Sequence, residues 1–401
     1  MIPSWARVAF AVFAVSWGAN QFAPMQLVYR DHLGLGSDSF TAMLGSYVVG
    51  LIPALLWFGR LADRIGRRPV IRAMIPVSIA SSIVLLLGAH TPALLYPGRI
   101  LAGLASGMAF GAGTAWMKEL SEGPGVGARR AAVSLSAGFG CGALFAGLIA
   151  QWLPAPDHVP YIVHITLMVV ALVAVWGVHD GHVPRTARGS RHLSALSSRR
   201  FRWGVVPWAP WVFGCATVSF ATMPPIVSDR VSGVAVAFTG AVAALTLLTG
   251  AVIQPWARHI TRDGEHRGVW TGIGLGVSGF AAATVAVVVD GPGAVAAVLV
   301  AAVLFGAGYG ILLVSGLVIV ENITPPDQLA QTVAVFYCLI YLGFAVPFLV
   351  SLAAPHIGYG ACFAVAVATM LLALIPGRPV TSRNSAMAQP EPAASSSDNL
   401  G

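Results

Sequence analysis

Charged residues are scarce in this chain of 401 residues: Asp, Glu, Lys and Arg make up 9% of it, whereas 57% of the residues are hydrophobic. A soluble domain typically carries about 25% charged residues, so this composition excludes an ordinary soluble protein and indicates a surface that faces lipid. The net charge of +8 does not indicate a nucleic-acid-binding protein either. The basic residues lie in short connections between long apolar runs and form no basic stripe on a soluble face.

Cysteines are also few, and all four lie in apolar runs: Cys141, Cys215, Cys338 and Cys362. None has the spacing of a metal site or a disulfide framework. A nucleophile–base constellation is equally lacking, so we expect no metal, no cofactor and no enzymatic activity.

Long apolar runs account for most of the chain. A helix that crosses a bilayer needs about 20 apolar residues, and twelve runs reach that length. They do not alternate as barrel strands would, and in lipid only helices and closed barrels pair all backbone groups. We therefore predict an all-α membrane protein with twelve transmembrane helices, the first of them retained rather than cleaved. The runs lie near residues 5–29, 40–60, 70–90, 93–117, 131–152, 159–178, 204–227, 234–256, 269–289, 293–320, 329–353 and 357–376.

The distribution of the 23 Lys and Arg residues predicts the topology. Nearly all of them fall in the N-terminal segment, in alternate connections and in the tail, whereas Arg30 and Arg230 lie on the opposite side and Arg99 lies within a run. Because basic residues stay on the cytoplasmic side, we expect a multi-pass protein of the plasma (inner) membrane with both termini in the cytoplasm.

The longest connection, polar and basic, divides the runs six and six. A weak internal sequence similarity, between GRLADRIGRR at 59–68 and QPWARHITRD at 254–263, fits a duplicated bundle with pseudo-two-fold symmetry. The tail is rich in Ala, Ser and Pro, a composition typical of disorder. The predicted divisions are an N-terminal six-helix bundle (1–178), a cytoplasmic linker (179–203), a C-terminal six-helix bundle (204–376) and a disordered tail (377–401).

The connection between the second and third runs reads GRLADRIGRRP at 59–69. A generic basic loop would explain its arginines but not the spacing of its glycines and its one carboxylate. The segment resembles the loop signature of the major facilitator superfamily, G-x-L-a-D-R-x-G-R-R. In that family the Asp locks the cytoplasmic side by engaging an arginine and the positive N-terminus of a helix from the other half. The resemblance implies the major facilitator fold and a conformational latch made of Gly59, Asp63, Arg64, Gly66, Arg67 and Arg68.

The fourth and fifth runs resemble elements of the drug:proton antiporters of that superfamily. Arg99 and Gly103 fit an R-x-x-x-G element whose arginine tunes the proton affinity of a nearby carboxylate; an arginine that snorkels to the interface is the alternative. Residues 138–147 are similar to the element of the fifth helix, but Ala143 stands where proline is expected, and packing of small residues is the alternative there. The packing glycines that we expect are Gly103, Gly138, Gly142 and Gly147.

The resemblance places the first, fourth, seventh and tenth helices around a central cavity. The first run carries amides that are unusual in so apolar a helix, and later runs carry aromatic residues that suit a hydrophobic or mildly polar solute. Hydrogen bonding between helices and an aromatic belt at the membrane interface are the alternatives. The predicted cavity residues are Trp17, Asn20, Gln21, Gln26, Trp211, Tyr309, Tyr337 and Tyr341.

Carboxylates within the runs are scarce. Asp31 follows Arg30 at the outer end of the first run, and Arg99 lies in the outer half of the fourth. We therefore predict Asp31 and Arg99 as proton-coupling residues, with an interfacial Arg30–Asp31 pair as the alternative. Without a buried carboxylate, a uniporter would replace proton coupling as the hypothesis.

These features favour a secondary active transporter that exports small lipophilic compounds in exchange for protons by alternating access. The first alternative is an importer or facilitator of a small metabolite, and the second is a non-transporting membrane sensor on the same fold. The expected partners are a small-molecule substrate and the lipid bilayer, with a proton gradient as energy source. We expect a monomer.

Overall fold

Helices form the architecture of the protein in the computed structural model, and no strand occurs among the residues that it describes. The part of the predicted linker at 180–193 and the predicted disordered tail at 377–401 lie outside the described residues. The structure describes residues 2–123, 126–179, 194–262, 264–325 and 328–375.

The part of the chain before residue 179 contributes eight helices, which we call the N-terminal set. A short 3-10 turn precedes α5 and a π-helical turn, Ala109–Gly113, joins α5 to α6. The helices are α1 (Ser4–Asn20), α2 (Met25–Leu33), α3 (Ser37–Ile65), α4 (Arg67–Leu87), α5 (Leu95–Met108), α6 (Thr114–Glu119), α7 (Val126–Trp152) and α8 (Val159–Trp176).

The part after residue 193 begins with two short helices, α9 (Ser194–Ser197) and α10 (Arg199–Gly204). The eight helices that follow form the C-terminal set. They are α11 (Trp211–Thr217), α12 (Met223–Ile226), α13 (Ala235–Val252), α14 (Gln254–Arg262), α15 (Glu265–Val288), α16 (Pro292–Ile323), α17 (Leu329–Tyr341) and α18 (Ala345–Leu372).

Nine helical segments among the described residues are long and apolar enough to cross a membrane. The last of them, Gln331–Leu372, has 42 residues, which at 1.5 Å per residue is about twice the thickness of the hydrocarbon layer. Gly358 lies inside α18 with a φ of 79°, a conformation that favours glycine because it has no Cβ. The segment therefore consists of α17, the 3-10 turn Leu342–Phe344 and α18, and Gly358 divides α18 in two. Twelve helices in two six-helix bundles remain a prediction.

Several of the predicted runs are interrupted, among them the first and the seventh. The first is broken between α1 and α2, where Pro24 lacks an N–H group to donate. The seventh widens into a π-helical turn, Val218–Thr222, immediately before the paired prolines Pro224 and Pro225 of α12. Interrupted helices in corresponding positions of two halves are typical of transporters, where they border the binding site.

Glycines allow the helices of the N-terminal set to approach until their backbones touch. A Cβ on Gly103 of α5 would overlap the carbonyl oxygen of Tyr47 in α3, and one on Gly142 of α7 would lie 2.6 Å from the Cα of Trp17 in α1. Gly138 meets the same helix one turn earlier, with Ser16 Cβ at 2.6 Å from the added atom. Small residues at helix contacts are the common solution in membranes, where packing must replace the hydrophobic effect.

The two sets of helices meet along α7 with α13 and along α3 with α17 and α18. We call the end of the bundle that carries residues 59–68 the motif end and the opposite one the far end. At the far end, Thr41 Oγ1 and Ser351 Oγ are 2.9 Å apart, and Arg30 donates to Ser228 Oγ at 3.4 Å. Towards the motif end, one face of α3 between Pro53 and Arg64 lines a surface groove. The described links therefore close the far end.

Candidate functional site

A cluster of aromatic rings lies where the two sets of helices meet, and we call it the aromatic cluster. Phe213 of α11 stacks on Tyr341 of α17 and on Tyr309 of α16, with ring centroids 4.7 and 5.5 Å apart. Phe344, in the turn after α17, packs at 5.6 Å from both Phe213 and Tyr341. Tyr47 of α3 brings in the N-terminal set, at 5.9 Å from Phe344 and 6.5 Å from Tyr341.

Local glycines make room for this cluster. The ring of Tyr309 lies directly against Gly250 of α13, where any Cβ would overlap it. Gly343, beside Phe344, touches the backbone of α11 at Pro210 and Gly214. Because glycine has no side chain, these two contacts allow α11, α13 and the end of α17 to approach α16 closely enough for their aromatic rings to stack. No hydrogen bond among the described residues uses the hydroxyl of Tyr309, Tyr337 or Tyr341, so these three polar groups suit a bound solute.

Arg99 lies beside the aromatic cluster in α5 and is only 1% exposed. Its Nη1 donates to the carbonyl oxygen of Ala19 at 2.9 Å. Its guanidinium carbon lies 4.6 Å from the ring centre of Phe22 and 4.7 Å from that of Tyr47, a cation–π arrangement on two rings. Nε is buried without a partner.

The structure does not bring Asp31 to Arg99. The carboxylate of Asp31 pairs with Arg30 Nε at 3.0 Å, and its side chain is 59% exposed. This geometry is the interfacial pair that the sequence offered as the alternative. Between the far end and Arg99 lie Tyr29 and Tyr161, two buried residues whose hydroxyls share a hydrogen bond.

The predicted amides occupy another place in the N-terminal set. Gln21 donates to Ser82 Oγ at 3.4 Å, and Ser82 is 2.7 Å from His164 Nδ1. His164 Nε2 lies 3.1 Å from the carbonyl oxygen of Ala14, which only accepts, so Nε2 carries a proton. This chain joins α1, α4 and α8, the arrangement expected of hydrogen bonding between helices.

The other predicted cavity residues divide. Tyr337 lies in α17 beside the aromatic cluster, whereas Trp211 packs edge-on against Phe280, 6.0 Å away. Trp17 stacks on Phe145 of α7 at 5.4 Å. Gln26 is buried with its Oε1 unpartnered, and Asn20 is partly exposed at the end of α1.

The motif residues form a compact ionic group at the motif end. Asp63 Oδ1 accepts from Arg67 Nη1 at 2.6 Å, and Arg67 Nε reaches Glu119 of α6 at 3.3 Å. Arg68 donates to the carbonyl oxygen of Trp176 at 2.9 Å. Gly66 joins α3 to α4 with a φ of 100°. In this conformation the pairs described for Asp63 stay within the N-terminal set.

The remaining motif positions are open. Arg64 borders the groove along α3, and nothing lies within 4 Å of a Cβ placed on Gly59. Gly147, the last predicted packing glycine, meets Gly240 of α13, with its Cα at 3.0 Å from the added Cβ.

Sequence reasoning missed three members of the aromatic cluster, Tyr47, Phe213 and Phe344. The backbone of Tyr47 lies against Gly103 only in the folded chain, so the sequence carries no signal for this residue. No group of three residues able to hold a metal occurs in the described part of the chain.

Comparison with known proteins gives one family and several similar structures. A family model described as Major Facilitator Superfamily matches residues 8–298. No curated protein sequence matches the chain. The nucleoside transporter NupG has a TM-score of 0.68 and 13% identity over 92% of this chain and 96% of that one. A mutant peptide transporter POT in complex with alafosfalin has a TM-score of 0.73 and 15% identity over 92% and 93%. At these identities the likeness shows the fold alone.

Proposed function

The chain belongs to the major facilitator superfamily of membrane transporters, and on that premise we propose that it exports small lipophilic solutes by alternating access in exchange for protons. The observation that carries the transport of such solutes is the aromatic cluster. It joins Tyr47 of the N-terminal set to Tyr341 and Phe344 of the C-terminal set. A solute held between these rings would contact both halves at once, as alternating access requires.

The arrangement of the ends supports the same proposal. In it the motif end faces the cytoplasm, as the basic residues predict, and the chain forms two six-helix bundles at 1–178 and 204–376. The far end is closed by Thr41, Arg30 and Gln151, each bonded to the C-terminal set. We therefore take this conformation as the one open to the cytoplasm, which is the conformation that loads a solute for export.

The motif residues complete the cycle in this proposal. When the cytoplasmic side closes, Asp63 exchanges Arg67 of its own half for the positive end of a helix in the other half. Arg64 borders the groove and would move together with Asp63 towards the other half.

The second candidate function is import or facilitated diffusion without protons. It is favoured by one observation: Arg99 and Asp31, the predicted coupling pair, make separate contacts, Arg99 with aromatic rings and Asp31 with Arg30. A carboxylate whose proton affinity is tuned by an arginine needs that arginine within about 4–6 Å.

The experiment that tests the proposal uses everted membrane vesicles with an acidic interior and a dye that reports the pH gradient. A panel of neutral, anionic and cationic aromatic solutes is added to vesicles with the native protein, with Tyr341→Ala, or with the control Tyr96→Ala, a more exposed tyrosine of α5. Export in exchange for protons predicts that some solute collapses the gradient in native and control vesicles but not with Tyr341→Ala.

Two other results distinguish the alternatives. Uptake of a labelled solute that follows its own gradient, with no change in the dye signal, would replace proton exchange by facilitated diffusion. If no solute in the panel moves in either direction while the protein is folded, a non-transporting sensor becomes the better hypothesis.

A further inference from the structure

Arg99 is a buried cation that pairs with no carboxylate in the described part of the chain. Its described partners are one backbone carbonyl, at Ala19, and the rings of Phe22 and Tyr47. An isolated charge is costly to bury unless its surroundings compensate it. Carbonyl and ring dipoles compensate part of this cost, but they leave the formal charge in place.

Tyr47 connects that charge to the aromatic cluster. Its ring lies 4.7 Å from the guanidinium carbon of Arg99 and 5.9 Å from the ring centre of Phe344. Only one aromatic side chain therefore separates the cation from the contact between the two sets of helices. In an interior of low dielectric a charge acts over such distances.

The described part of the aromatic cluster offers nothing to cancel this field. It consists of tyrosines and phenylalanines, and tyrosine hydroxyls are neutral groups that donate as well as accept hydrogen bonds. A cation between these rings would gain from their π faces but would meet the uncompensated positive charge of Arg99. An anion would gain from both the hydroxyl donors and Arg99, whose Nε is buried and without a partner.

We propose that the aromatic cluster selects its solute by charge and binds planar aromatic carboxylates in preference to matched neutral or cationic compounds, with Arg99 acting through Tyr47. This inference rests on the proposed function for the location of the site. It adds the substrate class, and it makes Arg99 a determinant of specificity.

The test is binding of three probes of one shape to the purified, detergent-solubilised protein by calorimetry: 2-naphthoate, 2-naphthamide and 2-naphthylmethylammonium. We expect naphthoate to bind at least about tenfold more tightly than the ammonium compound, with the amide between them. Arg99→Gln should abolish this order, and Arg99→Lys should keep its direction. The matched control is Arg72→Gln, which removes an arginine stacked 4.2 Å from the ring of Trp176, at the motif end.

If Arg99 has a purely structural role, Arg99→Gln would weaken the binding of all three probes alike and leave their order of affinity unchanged. That result would overturn the inference. Equal or tighter binding of the ammonium compound to the native protein would also overturn it, as would binding of none of the three. If Arg99→Gln does not fold, Arg99→Met takes its place, because it also removes the charge, and the order among probes should again vanish. Failure of the proposed function gives a different result. The three probes would bind in the expected order of affinity, but naphthoate would not cross the membrane of proteoliposomes.

Discussion

Gln151 of α7 accepts a hydrogen bond from the backbone N–H of Val236 of α13, with Oε1 and N 3.0 Å apart. The same oxygen accepts from the next N–H, at Ala237, at 3.3 Å, and Nε2 donates to the carbonyl oxygen of Gly233 at 3.0 Å. No side chain of its own caps α13. The first N–H groups of a helix lack partners within it, so the N-terminal set supplies the cap that the C-terminal set lacks.

Gln151→Ala should shift the protein towards a conformation open at the far end. Losing a side-chain cap costs about 1 kcal/mol, and here the loss falls only on the conformation in which α7 and α13 meet. The measurement is labelling of Ser351→Cys, at the far end, by a membrane-impermeant maleimide, which should be faster in the double variant. Gln254→Ala, at the start of α14 and away from the far end, is the control and should leave the labelling rate unchanged. Equal rates in all three proteins would contradict the role of Gln151.

Asp63→Asn should reduce transport without reducing stability in proportion. The side chain of Asp63 is 38% exposed, and its buried partner Arg67 keeps Glu119 as a second partner when Asp63 is neutralised. We expect the melting temperature of the purified protein to change little and the initial rate of solute transport to fall about tenfold or more, equivalent to ~1.4 kcal/mol. Asp290→Asn, which breaks an exposed pair with Arg230, is the control and should be mild in both assays. A loss of stability that matches the loss of transport would mean that Asp63 only supports the fold.

Gly103→Ala should destabilise the protein strongly. The new methyl group would overlap the carbonyl oxygen of Tyr47 and lie 2.8 Å from the amide nitrogen of Leu51, both of them backbone atoms that cannot move aside locally. Overpacking of this kind costs about 1–3 kcal/mol. Gly45→Ala, in α3, meets nothing within 4 Å and should be neutral or slightly stabilising, because alanine is the better helix former. Thermal unfolding of the two variants decides: equal melting temperatures would refute the close contact of α3 with α5.

Asp157, between α7 and α8, should stabilise the far end in a pH-dependent way. Partial burial alone would raise its pKa, but a hydrogen bond from His158, a backbone hydrogen bond and the charges of His158 and His32 outweigh burial and hold the pKa below its ordinary value of 3.8. A lowered pKa in the folded state means stability that is present above the unfolded value and is lost as the pH falls through the folded one. Asp157→Asn should therefore lower the melting temperature at pH 7, and the difference should shrink below about pH 4. A difference that stayed constant down to the most acidic pH that the protein tolerates would show that charge is not involved.

The sequence predicted helix positions well where a run was uninterrupted. The run at 293–320 became α16, Pro292–Ile323, because a segment this apolar must pair its own backbone groups in lipid. The predicted packing glycines Gly103, Gly138 and Gly142 also lie at helix contacts. Small residues in membrane helices commonly mark the places where two helices approach closely.

The candidate site was less predictable. In a membrane protein an aromatic residue that faces lipid and one that faces a neighbouring helix have the same hydropathy, so Tyr47 and Phe344 gave no signal of their own. For Arg99 the sequence indicated an expensive charge but not what compensates it. Phe22 and Tyr47, the rings that do so, come from two other helices and become neighbours only in the folded chain.

Glycine lines two sides of α7, towards α1 at Gly142 and towards α13 at Gly147, which meets Gly240. At the second contact the backbones of α7 and α13 touch with no side chain between them. Where side chains of two helices interdigitate, they must separate before the helices can shift along each other. A contact between glycines avoids that barrier. We therefore expect little resistance to sliding at this contact, which lies one helical turn from Gln151. The rate at which the two halves rock would then be governed by the polar links at the far end, where a single substitution would have the largest effect.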